Sequence, residues 1–264
     1  MSSIPNVLTI AGSDSSGGAG IQADLKTFSA LKVYGTSIIT NITAQNTQGI
    51  RDIYTLPIKI IKSQLKSVFE DIDIAAVKVG MLHSIEIIEL VSEMLCYYKP
   101  NNIVLDPVLI SSSGRPLLQK DALSLMKRDL FPLATMITPN IPEAISILGL
   151  DQEIEPAEME TFSKSLLQFG SKSVLLKGGH LKGETCIDVL SEKDQTYNFS
   201  HARVASKNTH GTGCTLSSAI SANLAKGSSL KQSVQAANNY TFNAIKNADK
   251  LNVGLGTGPL FHFT

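Results

Sequence analysis

Short apolar runs alternate with longer amphipathic segments along the first two thirds of the chain. The runs cover residues 7–10, 37–43, 74–79, 102–106, 134–138 and 173–177. Each of them contains consecutive apolar residues, many β-branched, a pattern typical of strands that are covered on both faces. We therefore predict a mainly parallel β-sheet.

Segments of helical period lie between several of these runs. Residues 21–33, 58–71, 84–98 and 159–170 space their apolar side chains three and four positions apart. Residues 185–204 are predicted to form a hairpin around the polar turn 191–195, and two further helices are predicted to begin at Thr212 and Leu230. This alternation predicts an α/β fold, in which ligands bind beyond the carboxyl ends of the strands. No linker or repeat is visible, so residues 1–264 are predicted to form one domain.

Charge and cysteine content narrow the class of partner. Of the 264 residues 43% are hydrophobic, and 23 positive side chains balance 23 negative ones, so no basic excess favours nucleic acid or an anionic membrane. The apolar runs are too short to cross a bilayer. Three cysteines at wide spacings argue against both a disulfide framework and a zinc site. These features favour a small-molecule ligand and a cytoplasmic location.

A glycine-rich segment before the predicted helix at Thr212 is the strongest single motif. It reads NTHGTGCTLSSA from Asn208. Glycines at a helix start leave N–H groups unpaired, and these groups together with the helix dipole bind anions. A helix cap with a buried cysteine explains the segment equally well. His180 and His210 are candidate bases, but neither lies beside a serine or cysteine in a nucleophile elbow, which disfavours hydrolase chemistry.

The loops after the first two strands are rich in small and amide residues. AGSDSSGGAG follows the first strand and fits neither a Walker loop nor a dinucleotide fingerprint, so it is either a tight turn or a ligand-facing loop. Asp24, one turn into the first helix, has the favourable position for a helix-dipole charge. Gln45 in TAQNTQG carries a donor and an acceptor that match an aminopyrimidine edge, although surface polarity also explains it.

Charged residues end the later strands. Asp106 is placed to hold Mg²⁺, and Lys177, beside paired glycines, is placed to contact phosphate. Glu143 is either a second metal-side carboxylate or the partner of Asn140 in a capping box. Met81 is either a core residue or a pocket wall. Because the carboxyl ends of parallel strands share one edge, we expect these side chains to meet there.

The order of these motifs resembles the hydroxymethylpyrimidine and phosphomethylpyrimidine kinases of thiamine synthesis. The resemblance runs nearly end to end through AGSDSSGGAGIQADLKTFSALKVYG, TAQNTQG, KVGML, VLDPV, TPNIPEA, KGGH and NTHGTGCTLSSAI. It implies a ribokinase-like fold, in which a central, mostly parallel sheet lies between helices. It also implies two ATP-dependent steps, first on the hydroxymethyl group of the pyrimidine and then on the resulting monophosphate. A homodimer is implied by the family alone.

The resemblance also implies roles for individual residues. Gln45 pairs with the aminopyrimidine, which is enclosed by Gly12, Ala19, Asp24, Met81 and Val108. Asp106 and Glu143 serve Mg²⁺, the ATP phosphates lie at Lys177, Thr209 and Gly213, and the anion hole consists of Gly211, Thr212, Gly213 and Cys214. Cys214 stands where most ribokinase-like enzymes have an aspartate base.

A cysteine is chemically sufficient as that base. A helix N-terminus is expected to lower the pKa of Cys214 from about 8.5 toward neutrality. The second step needs less help, since a phosphate monoester with a pKa of about 6 is already mostly ionised. Three alternatives remain open: a pyridoxal or pyridoxine kinase of the same fold, a sugar kinase, which the cysteine disfavours, and a non-catalytic pyrimidine sensor.

Overall fold

A nine-stranded sheet forms the centre of the computed structural model, which describes residues 4–110, 114, 116–119 and 121–263. The strands are β1 (Asn6–Asp14), β2 (Tyr34–Asn46), β3 (Gly49–Thr55), β4 (Ile74–Val79), β5 (Ile103–Leu105), β6 (Met136–Ile137), β7 (Ser173–Lys177), β8 (Thr185–Glu192) and β9 (Thr196–Ala202). Their order is β3-β2-β1-β4-β5-β6-β7-β8-β9. The six central strands pair in parallel, whereas β3, β8 and β9 are antiparallel to their neighbours.

Helices cover both faces of this sheet. They are α1 (Gly20–Ala30), α2 (Ile58–Phe69), α3 (Ile85–Tyr98), α4 (Ala122–Leu125), α5 (Ile141–Leu148), α6 (Met159–Leu166), α7 (Thr212–Ala225) and α8 (Leu230–Lys246). Helices α2 through α6 pack on one face of the sheet and form one hydrophobic core with it. Helices α1, α7 and α8 pack on the opposite face and form the other core. Ala76 and Val77 in β4 point into opposite cores, as adjacent strand residues must. The predicted sandwich of a mostly parallel sheet between helices is confirmed.

The six predicted strands and the hairpin are present, and the structure adds elements that the pattern did not reveal. β3 was not predicted because its exposed Arg51 and Asp52 interrupt the apolar signal of an edge strand. The helical stretch from Ala122 to Leu133 was also missed, since it changes from α to π to 3-10 geometry and shows no steady period. No helix in the described ranges is long and apolar enough to cross a membrane.

Candidate active site

The carboxyl ends of the parallel strands meet at one edge of the sheet, where they line a cavity of about 870 Å³. Gln45 near the end of β2, Asp106 after β5 and Lys177 at the end of β7 all face this cavity. The cavity brings together the predicted site residues Gly12, Ala19, Gln45, Met81, Asp106, Val108, Glu143, Lys177, Thr209, Gly211, Thr212, Gly213 and Cys214. Asp24 is the exception, because it does not line the cavity.

The order of the strands sets the order of groups along the cavity. Gly12 and Gln45 belong to β1 and β2 on one side of the sheet centre. A Cβ on Gly12 would come 2.6 Å from the methyl carbon of Met81, so these two residues form one wall. Asp106 and Lys177 come from β5 and β7, further along the sheet. The cavity therefore has a distinct Gln45 end and a distinct Lys177 region.

The glycine loop begins α7 in the way that an anion site requires. Gly211 is the N-cap with φ of 84°, a left-handed conformation that glycine adopts without strain, and any Cβ there would overlap the carbonyl oxygen of Gly18. The Thr212 hydroxyl donates to Thr209 O at 2.7 Å. Gly213 and Cys214 lie in the first turn, where helical N–H groups have no acceptor in a preceding turn.

Lys177 forms a nearly buried ion pair beside this loop. Its Nζ lies 2.7 Å from Asp106 Oδ1, which also accepts the Thr138 hydroxyl at 3.0 Å. A Cβ on Gly213 would lie 3.3 Å from Asp106 Oδ2 and 3.4 Å from Lys177 Nζ. Burial lowers the pKa of Lys177, but the charges of Asp106 and Glu143 outweigh burial and raise it. A permanent cation therefore borders the helix start.

Glu143 has two functions in the structure. It forms the predicted capping box, because Asn140 N donates to Glu143 Oε2 at 2.8 Å and Glu143 N donates to Asn140 Oδ1 at 2.9 Å. Its carboxyl group also lines the cavity. Burial and the nearby charge of Asp106 raise the pKa of Glu143 to about 7, although Lys177 opposes them. A divalent cation would relieve the repulsion between the two carboxylates.

Cys214 is not the activated thiol that the sequence predicted. Burial, with the charges of Asp24 and Asp106, raises the pKa of this thiol to about 11. Lys78 and a backbone hydrogen bond from Gly20 lower the pKa of Cys214, but by less than burial raises it. The expected lowering toward neutrality is therefore wrong, because desolvation raises the pKa of this thiol more than Lys78 and the Gly20 hydrogen bond lower it.

Asp24 lies beneath the cavity in a fully buried ion pair. Its Oδ2 is 3.0 Å from Lys78 Nζ and accepts the Thr9 hydroxyl at 2.6 Å, while Oδ1 accepts the Ser218 hydroxyl at 2.7 Å. Both ionic side chains have 0% exposure. The structure replaces the helix-dipole explanation of Asp24 with this ion pair.

Sequence reasoning assigned no role to Asp14, although the residue organises the loop after β1. Its carboxylate accepts from Ser16 N, Ser16 Oγ, Gly18 N and Ala19 N, and His210 Nε2 lies 2.9 Å from its Oδ2. Burial raises the pKa of Asp14, but these hydrogen bonds outweigh burial and hold it at about 2. The pair joins the loop after β1 to the loop before α7.

The cavity continues past Lys177 to residues that sequence reasoning also missed. Arg203 after β9 binds the carbonyl oxygens of Gly179, Leu181 and Gly183. Val204, Phe242 and Ile245 line the same region with apolar surface. The hairpin and α8 bring these residues to the site from distant parts of the chain, so no local motif marks them.

Phosphoryl transfer demands electrostatic positioning from a protein more than covalent chemistry. This cavity meets that demand with the N-terminus of α7 and the Lys177 cation, which lie beside the carboxylates of Asp106 and Glu143. The protein is therefore a small-molecule kinase with the predicted ribokinase-like fold. Comparison with known proteins gives the family: the chain belongs to the phosphomethylpyrimidine kinase family, whose model matches residues 14–261.

Individual relatives agree with that assignment. A hydroxymethylpyrimidine/phosphomethylpyrimidine kinase of Rhizobium meliloti (strain 1021) is 46% identical over 97% of this chain and 96% of its own length. The crystal structure of a phosphomethylpyrimidine kinase from Clostridium difficile 630 shares 48% identity and a TM-score of 0.81, covering 92% of this chain and 100% of that one. A Bacillus subtilis pyridoxal kinase in an ADP complex shares 36% identity and a TM-score of 0.91, covering 98% of both chains. The fold is thus common to both kinds of kinase, and sequence identity is higher with the pyrimidine enzymes.

Proposed function

We propose that this kinase phosphorylates 4-amino-5-hydroxymethyl-2-methylpyrimidine with ATP, first to the monophosphate and then to the diphosphate, in thiamine biosynthesis. The observation that carries the proposal is the approach of Gly213 to both Lys177 and Asp106 at the start of α7. A phosphoryl group there meets helix N–H groups and a cation together. The names of the pyrimidine-kinase relatives support the choice of substrate.

The pyrimidine is assigned to the Gln45 end of the cavity. Gln45 supplies a donor and an acceptor from one amide, which suits an exocyclic amino group beside a ring nitrogen. Gly12 and Met81 form an adjoining wall, and Ala19 and Val108 complete the enclosure. Asp24 supports this end from below through Lys78 rather than by touching the substrate.

The ATP phosphates are assigned to Lys177, Thr209 and Gly213, with the nucleoside toward Val204 and Phe242. Asp106 and Glu143 fit a magnesium ion, since Mg²⁺ is commonly held by one or two carboxylates together with water and phosphate. The described residues contain no cluster of three or more His, Cys, Asp and Glu side chains suited to a metal, which agrees with a site completed by phosphate. Bound Mg²⁺ would supply charge neutralisation on the phosphates.

Cys214 acts on the hydroxymethyl group in the first step. With a thiol pKa of about 11, the sulfur is mostly protonated at neutral pH, and only its thiolate fraction accepts the hydroxymethyl proton, which returns it to the thiol. A loose transition state requires little prior deprotonation of the acceptor, and positioning then carries most of the rate. The second step acts on a phosphate oxygen that is already ionised, so it needs no proton acceptor at Cys214.

We further propose that residues 1–264 form one kinase domain, that the chain is a homodimer as its family resemblance implies, and that it works in the reducing cytoplasm. The joining of nine strands in one sheet supports the first point. The free thiols of Cys96, Cys186 and Cys214 support the third.

The direct test is mass analysis of the products formed from the hydroxymethylpyrimidine and Mg–ATP. Diphosphate is expected, and a product that stops at monophosphate overturns the second activity. Pyridoxal kinase is the second candidate, favoured by the TM-score of 0.91 with the Bacillus subtilis enzyme. Parallel assays are expected to give a higher kcat/KM for the pyrimidine than for pyridoxal. Binding of the pyrimidine without release of ADP would instead identify a sensor.

A further inference from the structure

A chain of polar contacts links Asp14, His210 and Gln45. His210 Nε2 lies 2.9 Å from Asp14 Oδ2 and 3.0 Å from one end of the Gln45 amide. The other end of that amide lies 3.2 Å from Thr43 Oγ1. Asp14 and His210 are buried, and together with Gln45 they line the cavity. The contacts therefore lead to the side chain proposed to pair with the pyrimidine.

The position of hydrogen atoms in this chain follows from Asp14. Its carboxylate accepts four hydrogen bonds from Ser16, Gly18 and Ala19, which hold it in the ionised form. An ionised carboxylate only accepts, so His210 Nε2 carries a proton, and this single N–H is shared between Asp14 Oδ2 at 2.9 Å and the Gln45 amide at 3.0 Å. A protonated Nε2 cannot accept an amide N–H. Because the oxygen and nitrogen of an amide are assigned from their partners, the Gln45 oxygen must face His210.

The contact with Thr43 leads independently to the same orientation. Thr43 Oγ1 lies 3.0 Å from Ser13 O and donates its single proton to that carbonyl. The hydroxyl can then only accept from Gln45, so the amide nitrogen must face Thr43. His210 and Thr43 together use one lone pair and one N–H of the amide. One acceptor and one donor remain, in a fixed order, for a ligand in the cavity.

We propose that His210, held by Asp14, is a positioning residue that fixes the amide orientation of Gln45 and so makes the site select an aminopyrimidine over its 4-oxo counterpart. This inference rests on the proposed function. The fixed Gln45 oxygen accepts from the exocyclic amino group, while its N–H donates to the adjacent ring nitrogen. A 4-oxopyrimidine presents a carbonyl oxygen beside a ring N–H, which is the reverse pattern and needs a rotated amide.

The test compares kcat/KM for the hydroxymethylpyrimidine and its 4-oxo analogue in four proteins: wild type, His210→Leu, His210→Gln and Thr43→Val. The wild type is expected to prefer the amino substrate on the order of 100-fold, as expected for mismatched hydrogen bonds. His210→Leu and Thr43→Val are expected to lower that ratio about tenfold or more, mainly through KM, because the amide can rotate. His210→Gln keeps an N–H near the Nε2 position and is expected to restore it.

The outcomes separate this inference from the proposed function. An unchanged selectivity ratio in both His210→Leu and Thr43→Val overturns the inference, as does an equal loss of kcat for the two substrates. Thr43→Val keeps the shape of the side chain while removing its hydroxyl, and it keeps the test open if His210→Leu does not fold, which thermal unfolding will show. An unchanged KM for the pyrimidine in Gln45→Leu also overturns the inference, whereas the proposed function fails only if the wild type forms no phosphorylated pyrimidine from Mg–ATP.

Discussion

Lys177 Nζ lies 2.7 Å from Asp106 Oδ1, although Lys177 ends β7 and Asp106 follows β5, two strands that do not pair with each other. The exposed fractions are 13% for the Lys177 side chain and 3% for the Asp106 side chain. An ion pair this buried is costly to break from one side, since the remaining charge loses its partner. A change to either residue of this pair is therefore expected to affect both the stability of the fold and phosphoryl transfer.

Lys177→Met is expected to lower both stability and activity. The free energy of unfolding should fall by about 3 kcal/mol, because Asp106 stays buried without its cation. The kcat/KM for the pyrimidine should fall about 100-fold or more with the phosphate contact gone. Urea unfolding and steady-state kinetics measure the two effects. Lys164→Met, which removes an exposed pair with Glu160, is the control and should cost under about 1 kcal/mol.

A second charge deletion separates the two roles of Lys177. The double variant Lys177→Met/Asp106→Asn should regain part of the lost stability, because it no longer buries an unpaired charge. It should not regain activity, since neither the phosphate contact nor the carboxylate is present. Recovery of kcat in the double variant would contradict the phosphate role of Lys177.

Cys214→Ala is expected to slow phosphorylation of the hydroxymethyl group more than phosphorylation of the monophosphate. In the first step the hydroxymethyl group loses a proton that needs an acceptor, whereas the second step begins from a phosphate oxygen that is already ionised. A loss of about 10²- to 10⁴-fold in the first step is typical of a missing general base. Single-turnover assays begun from each substrate measure the steps separately. Equal losses in both steps would contradict the base role.

The protonation state of Cys214 has its own test. With a pKa of about 11, its alkylation by iodoacetamide should rise about tenfold per pH unit from neutrality until the pH nears that value. The assay uses a Cys96→Ser/Cys186→Ser background, so that only Cys214 reacts. Lys78→Met should slow alkylation further, because Lys78 is the cation that stabilises the thiolate. A rate that levels off near neutral pH would contradict the burial effect.

Gly211→Ala is expected to disrupt the glycine loop. Gly211 and Gly227 have φ of 84° and 86°, so alanine is equally strained at either position. Only at Gly211 would the new Cβ overlap a neighbour, the carbonyl oxygen of Gly18, whereas nothing lies within 4 Å of a Cβ at Gly227. Gly227→Ala should therefore cost about 1 kcal/mol and leave kcat unchanged. Comparable kinetics in the two variants would show that the contact with Gly18 is dispensable.

Local patterns in the sequence were sufficient for the parallel strands of the sheet and for the motifs at their carboxyl ends. Asp106, Lys177 and Gln45 each lie at or just after the carboxyl end of a predicted strand, and parallel strands bring these ends together, so their common location was predictable. Asn140 and Glu143 were also read correctly, because a capping box spans only four residues.

The pairings across long sequence distances could not be predicted. Asp24 and Lys78 are 54 positions apart, and Asp14 and His210 are 196 apart, so no spacing rule connects them. The predicted lowering of the Cys214 pKa was wrong for a related reason. The burial of a residue at a helix N-terminus depends on which distant segments of the chain pack over it. The location of a site residue was thus predictable where the parallel arrangement of the strands alone determines which residues lie beside it.

Glu143 is expected to make stability depend on pH near neutrality. Its folded-state pKa of about 7 lies above the ordinary value of 4.5, so the folded protein favours the protonated acid. The associated stability is fully present below about pH 4.5 and is lost as the pH rises through about 7, a total of about 3 kcal/mol. Glu143→Gln should remove this part of the pH profile, measured by urea unfolding from about pH 5 to about pH 8. Exposed Glu160→Gln should leave the profile unchanged.

The buried pair of Asp24 and Lys78 gives the sharpest test of how the site is supported. Burial lowers the pKa of Lys78, but Asp24, Cys214 and Asp106 outweigh burial and raise it, so Lys78 keeps its charge at 0% exposure. Lys78→Met and Asp24→Asn should each cost about 3–5 kcal/mol of unfolding free energy. The double variant should cost less than the sum, whereas Lys62→Met, from an exposed pair with Glu93, should cost under about 1 kcal/mol. If Asp24→Asn instead raises the KM for the pyrimidine at little cost in stability, Asp24 contacts the substrate directly and the supporting role is wrong.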